Sequence, residues 1–219
     1  MPQDFFLTFE GLDGSGKSTQ LRKLAQWFEA RGESCVITRQ PGGTRTGDRI
    51  RALLLDSRTE GLSPMAELGL MFSDRAQSIA EIIRPALDEG RIVLCDRYTD
   101  STEAYQGGGR QLGSELVLQL HKAMCGGLDP DLTILLLPDL RRSLDRARRR
   151  NHRSVAQSAK DEGRFENENE EFYQRVFHQY REIARRDRLR VVAIESDEDI
   201  ERIHERITRI VEERLARRA

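Results

Sequence analysis

Eight residues, Gly11-Leu12-Asp13-Gly14-Ser15-Gly16-Lys17-Ser18, constrain what this chain can fold into more than any other stretch. They follow the pattern G-x-x-x-x-G-K-[ST]. Before them lies a short apolar run, Phe5 to Phe9, and after them an amphipathic stretch with Leu21, Leu24, Ala25, Trp27 and Phe28. The order is therefore strand, loop, helix. Glycines let the backbone turn so that successive N–H groups point inward, and the following helix adds the positive end of its dipole. Gly11, Leu12, Asp13, Gly14, Ser15, Gly16, Lys17, Ser18 and Thr19 are expected to wrap the phosphates of ATP, with Lys17 reaching the β- and γ-phosphates and the Ser18 hydroxyl holding Mg2+. The competing reading is a glycine-rich turn with an incidental lysine. Composition weighs against it, because only Lys17, Lys23, Lys122 and Lys160 among the 36 basic residues are lysine.

The alternation recurs along the chain. Apolar runs at Cys35 to Thr38, Ile92 to Cys95, Leu132 to Leu137 and Val191 to Ile194 are separated by helix-length segments, which predicts five strands. Continuous apolar strands divided by helices indicate a parallel sheet covered on both faces, a doubly wound α/β fold. Ligands in such sheets bind beyond the carboxyl ends of the strands, where the phosphate loop, Gln40 to Gly43 and Asp96 to Tyr98 would converge. Ile200, Ile203, Ile207, Ile210, Val211 and Leu215 share a helical face and predict a packing helix. At 219 residues, without a linker-like or repeated stretch, the chain is expected to form one domain.

A formal net charge of −1 gives no general attraction to nucleic acid or to an anionic membrane, so an anion must be held by a local site. No apolar run approaches spanning length and no basic-then-apolar leader is present, which predicts a soluble cytoplasmic protein. Cys35, Cys95 and Cys125 are scattered, and His121, His152, His178 and His204 form no close-spaced ligand pair. Neither a disulfide framework nor a zinc site follows.

Ile92-Val-Leu-Cys-Asp96 is an apolar strand ending in a carboxylate, the form that completes the shell of a nucleotide-bound Mg2+. A turn-forming aspartate would look the same, and the phosphate loop tips the reading toward metal. Arg97 follows at the rim of the cleft, where a planar fork can grip a phosphate through two hydrogen bonds. A surface ion pair is the bland alternative.

Several segments together resemble the bacterial thymidylate kinases of the nucleoside-monophosphate kinase group. They are Phe9-Glu-Gly-Leu-Asp-Gly-Ser-Gly-Lys-Ser-Thr-Gln20, Thr38-Arg-Gln-Pro-Gly-Gly-Thr44, Asp74-Arg-Ala-Gln77, and Asp96-Arg-Tyr98 running on to Ser101 and Ala104-Tyr-Gln-Gly-Gly-Gly-Arg110. The likeness spans nearly the whole chain. It implies a three-layer P-loop fold with a five-stranded parallel sheet, a mobile lid near residues 146–166, a homodimer, and transfer of the γ-phosphoryl group of MgATP to dTMP toward dTTP. Carried over by motif, Asp13 contacts the acceptor sugar and the metal region, Phe72 stacks on thymine, Arg75 donates to the base or its neighbouring phosphate, and Arg97 holds the acceptor phosphate. Tyr105 crowds the sugar 2′ position and Gln106 faces the base. Arg39, Pro41, Arg51, Ser101 and Thr102 join them on the acceptor side. Three departures stand out: Gln40 where Glu is usual, Ser78 where His is frequent, and a long stretch from Asn151 to Gly163.

An acceptor that is already a phosphate, with a second pKa of about 6, needs no general base, so catalysis reduces to alignment and charge neutralisation. No arginine stands in the variable positions of the phosphate loop. The basic run Arg146, Arg148, Arg149 and Arg150 is therefore expected to supply the transition-state arginine, with Arg148 and Arg150 foremost; a solvated helix face is the alternative. The runner-up functions are another small-acceptor kinase and a nucleotide-binding switch without an acceptor.

Overall fold

The structure is a computed structural model that describes residues 4–147, 149 and 162–217. Arg148, Arg150 and most of the expected lid, 151–161, lie outside the described residues. Five strands form one sheet: β1 (Phe5–Gly11), β2 (Cys35–Arg39), β3 (Ile92–Asp96), β4 (Leu132–Leu136) and β5 (Val191–Ile194). Their order is β2-β3-β1-β4-β5 and every pairing is parallel, with Phe5 opposite Ile92 and Leu7 opposite Leu132. The three-layer α/β architecture expected from the alternating pattern is the one observed.

β1 is buried along its full length because both of its faces carry apolar side chains into a helical layer. Phe5, Leu7 and Phe9 pack with Leu21, Leu24 and Phe28 of α1 (Lys17–Glu29) and with Ile207, Val211 and Leu215 of the last helix, Ile200–Ala216. Phe6 turns to the opposite face. There it meets Phe72 of α3 (Pro64–Ser78) and Val117 of the helix Ser114–Cys125. The helix Glu170–Arg186 covers the same side near β4 and β5 with Phe172, Tyr173, Val176 and Tyr180.

Side chains fix where several helices begin. Thr44 accepts from the Gly47 amide at 2.8 Å to cap α2 (Arg45–Leu55), and Ser63 accepts from the Ala66 amide to cap α3, which has Pro64 in its first turn. Each such cap contributes about 1 kcal/mol. After β3 the chain forms the short helix Thr99–Thr102 and then winds as a π-helix over Glu103–Gly109. The glycines there permit close approach: a Cβ on Gly109 would stand 2.5 Å from the Phe172 ring. That contact holds the segment carrying Tyr105 and Gln106 against the helix Glu170–Arg186.

Candidate functional site

The carboxyl ends of β1, β2 and β3 bring the three expected loops into one cleft. Gly14 has φ 75°, a left-handed conformation that suits glycine, and the space beside it is filled by the Ser143 and Ala147 backbone and the Arg146 Cβ. Lys17 is 5% exposed and its Nζ donates to the carbonyls of Gly11 at 3.1 Å and Leu12 at 2.8 Å. Burial lowers its pKa to about 8, aided by the charge of Arg97 and opposed by Asp96, Asp13 and Glu10. The Ser18 hydroxyl donates to Asp96 Oδ2 at 2.7 Å. Asp96 Oδ1 is buried with no hydrogen-bond partner among the described residues, an oxygen free to face a cation. One hydroxyl and one carboxylate beside a phosphate loop fit the sparse protein shell that Mg2+ takes when phosphates complete it.

Arg97 joins this loop to a second cavity. Its amide donates to the Phe9 carbonyl at 2.9 Å, which holds the residue at a positive φ of 70°. Nη1 donates to the Gly11 carbonyl at 3.0 Å and to Ser101 Oγ at 2.9 Å, while Nη2 donates to Asp13 Oδ1 at 2.8 Å. Burial works against the charge, but Asp13 and the surrounding acids outweigh it and hold the guanidinium pKa well above its ordinary value. The group is a permanent cation.

The adjoining cavity, of about 190 Å³, is walled by Asp13, Pro41, Arg51, Arg75, Arg97, Ser101, Thr102, Tyr105 and Gln106, nine of the residues expected on the acceptor side. Arg75 is 2% exposed; Nε donates to Gln40 Oε1 at 2.7 Å, Nη2 donates to Thr102 Oγ1 at 2.8 Å, and Nη1 is buried without a partner among the described residues. Gln106 Nε2 donates to Glu67 Oε1 at 2.8 Å, and its side-chain Oε1 is buried without a partner among the described residues. Tyr105 Oη donates to Asp13 Oδ2 at 3.3 Å, and its ring lies beneath the Arg97 guanidinium at 5.1 Å. Arg51 makes a two-point contact with Glu162 at 2.9 and 2.6 Å, closing one side of the cavity.

Two residues expected on the acceptor side lie outside the lining of this cavity. Phe72 is 0% exposed and does not line the cavity, because its position on α3 points it into the core with Phe6 and Val93. The Arg75 guanidinium sits over its ring at 4.9 Å, so Phe72 supports a residue that walls the cavity. Arg39 is half-exposed, pairs with Asp48 at 3.2 Å and also stays outside the cavity. Gln40 and Ser78, two departures from the family pattern, are both buried; the Gln40 amide oxygen anchors Arg75 where a carboxylate was expected.

The cleft also holds residues the sequence reading passed over. Asp74 accepts from the Gly42 amide at 2.8 Å, and burial raises its carboxyl to about 6. Glu67 is fully buried and receives Arg110 at 3.2 Å and Arg164 at 2.6 Å. Glu10, fully buried at the end of β1, has its pKa raised to about 7 by burial and then by the charge of Asp100. A carboxylate closing an apolar strand was a legible signal for Glu10; Glu67, inside an ordinary helix, had none.

Comparison with known proteins places this geometry. A family model described as thymidylate kinase matches residues 9–207. The thymidylate kinase of Desulfovibrio desulfuricans is 47% identical over 213 residues, 97% of each chain. That of Solidesulfovibrio magneticus is 50% identical over 191 residues, 87% of this chain and 90% of the relative. The crystal structure of thymidylate kinase from Ehrlichia chaffeensis matches with a TM-score of 0.74 at 32% identity, covering 95% of this chain and 98% of that one. The chain belongs to the thymidylate kinase family.

Proposed function

We propose that this chain transfers the γ-phosphoryl group of MgATP to dTMP, giving dTDP and ADP. One observation carries the reading: the Arg97 guanidinium bonds the phosphate loop at the Gly11 carbonyl and also walls the acceptor cavity, so one cation serves donor and acceptor. Two polyanions that repel each other are brought to reacting distance by cations held in place beforehand, which is most of what phosphoryl transfer requires of a protein.

Lys17 faces the β- and γ-phosphates of ATP. Ser18 and Asp96 would hold Mg2+, which neutralises charge on the transferring group when bound. Arg97 takes the acceptor phosphate, and Ser101, which accepts from its Nη1, lines the same cavity. The Arg75 Nη1 donor and Gln106 Oε1 acceptor, unpartnered among the described residues, match a pyrimidine edge that offers a carbonyl beside a protonated ring nitrogen, as thymine does; the ring N3 of cytosine carries no proton. Tyr105, beside Asp13, is placed to crowd a sugar 2′-hydroxyl.

The transition-state arginine comes from the basic run. Arg146 is exposed and its Cβ stands beside Gly14 of the phosphate loop, while Arg148 and Arg150 lie outside the described residues. The chain acts as one kinase domain, in the cytoplasm and as a homodimer. Among the described residues no helix is long and apolar enough to cross a membrane. Mixing the chain with MgATP and dTMP tests the reading: one dTDP should form per ADP, and ADP formation without acceptor should be slow. Equal ADP formation with and without dTMP would favour a nucleotide switch.

A further inference from the structure

The strand that delivers the phosphate loop ends in a carboxylate that no step above uses. Glu10 immediately precedes Gly11 and is 0% exposed. Its Oε1 accepts from the Tyr98 amide at 2.6 Å. Its Oε2 accepts from the Ser101 hydroxyl and, at 3.3 Å, from the Tyr180 hydroxyl. Both hydroxyl oxygens also face Arg97, whose Nη1 lies 2.9 Å from Ser101 Oγ and 3.4 Å from Tyr180 Oη. The two hydroxyls are themselves 2.9 Å apart.

Proton counting gives this cluster a direction. Each hydroxyl has one proton and two lone pairs, a guanidinium only donates, and an ionised carboxylate only accepts. With Glu10 ionised at Oε2, the Ser101 proton turns to the carboxylate and a lone pair is left for Arg97. A Ser101 proton turned toward Arg97 would meet another donor. The neighbouring carboxylate does not compete for this role, because Asp100 is taken by Arg190 in a two-point contact at 2.7 and 2.8 Å.

We infer that Glu10 is a positioning residue for the acceptor phosphate: through Ser101 and Tyr180 it sets the hydrogen-bond polarity that holds the Arg97 guanidinium between the phosphate loop and the acceptor cavity. The inference rests on Arg97 being the acceptor-phosphate clamp. Glu10 itself touches no reacting atom. The charged and titratable groups around it are Cys95, Asp96 and Arg97 from β3 and its end, Asp100 from the helix Thr99–Thr102, Asp13 and Lys17 from the phosphate loop and α1, and Tyr180 from the helix Glu170–Arg186.

The isosteric change Glu10→Gln reads this directly. The Tyr98 amide still requires an acceptor, so the new side chain keeps its oxygen there and turns Nε2 toward Ser101, replacing an acceptor by a donor at unchanged volume. Steady-state kinetics should be measured on the parent, Glu10→Gln, Ser101→Ala and the double variant, varying dTMP and MgATP separately. Glu10→Gln is expected to lower kcat/KM for dTMP by about tenfold or more while the KM for ATP stays within about twofold, and the double variant is expected within about twofold of the worse single one, because both act through one contact. Multiplying effects in the double variant, equal losses for both substrates, or parental kcat/KM for dTMP in Glu10→Gln would overturn the inference. If Glu10→Gln does not fold by circular dichroism, Tyr180→Phe takes its place; it should lower kcat/KM for dTMP by about threefold without changing the KM for ATP, and parental kinetics there would overturn the inference equally. A parent chain inactive on dTMP would remove the functional reading itself, a failure distinct from these.

Discussion

Lys17 and Phe72 show how two residues in one cleft answer to different physics. Lys17 presents a partly desolvated ammonium at the mouth of the loop, within 3.1 Å of two backbone carbonyls. Lys17→Ala is expected to keep the thermal midpoint within a few degrees and to lower kcat by at least about 10²-fold, the scale for losing one preorganised charge at a transition state. A coupled ADP assay beside a melting curve checks both halves. Phe72 fills core space under Arg75. Phe72→Ala should cost about 3–5 kcal/mol of stability, read as a lower urea midpoint, with any rise in the dTMP KM following from a loosened Arg75. A variant with parental stability and a raised dTMP KM would return Phe72 to the cavity wall. The phosphate loop was legible because its function is written in eight consecutive residues. The core position of Phe72 was not legible, because an aromatic on a helix gives no local sign of which neighbour it meets.

At the scale of elements, all five strands were legible from apolar runs; the inner three, β3, β1 and β4, are covered on both faces, while the edge strands β2 and β5 are only partly buried yet carry the same apolar pattern. The π-helical stretch Glu103–Gly109 was not, because its winding depends on the helix Glu170–Arg186 seated against it. Gly109→Ala should destabilise the chain by about 1–3 kcal/mol as the new methyl meets Phe172, and should lower kcat/KM for dTMP more than for ATP because Tyr105 and Gln106 ride on that stretch. Urea unfolding and separate substrate titrations check it, and an unchanged midpoint would show that the two elements can move apart. The basic run behaves as an element too. Replacing Arg146, Arg148, Arg149 and Arg150 together by Gln is expected to depress kcat far more than it raises either KM, the signature of a contact made mainly in the transition state. A kcat within about threefold of the parent, roughly 0.7 kcal/mol, would assign that charge to another arginine.

Over the whole molecule, buried acids near the cleft set a pH dependence that surface charge does not. Burial holds the carboxyl pKa of Glu10 at about 7 and that of Asp74 at about 6, both above the ordinary value near 4. In each case the folded state binds the proton more tightly than the unfolded state. Their contribution to stability is therefore present at low pH and is lost as pH rises through about 4 to 7. Asp129, lowered by its hydrogen bond from His121, changes only at lower pH, whereas His204, lowered by burial, acts in the opposite sense within the window. Comparison of urea midpoints isolates the Glu10 part: the fall from about pH 5 to pH 7.5 should be shallower in Glu10→Gln than in the parent, and parallel curves would contradict it. The proposed acceptor site lies in this same cleft, assembled from three strand ends. The most direct test is competition: with MgATP and equal concentrations of dTMP, dUMP, dCMP and isotope-labelled AMP, diphosphate products are separated and weighed by mass spectrometry, the label marking ADP made from AMP. dTDP is expected as the dominant product, with dCDP and labelled ADP at background. Comparable amounts of dCDP, or no diphosphate beyond that from ATP alone, would contradict it.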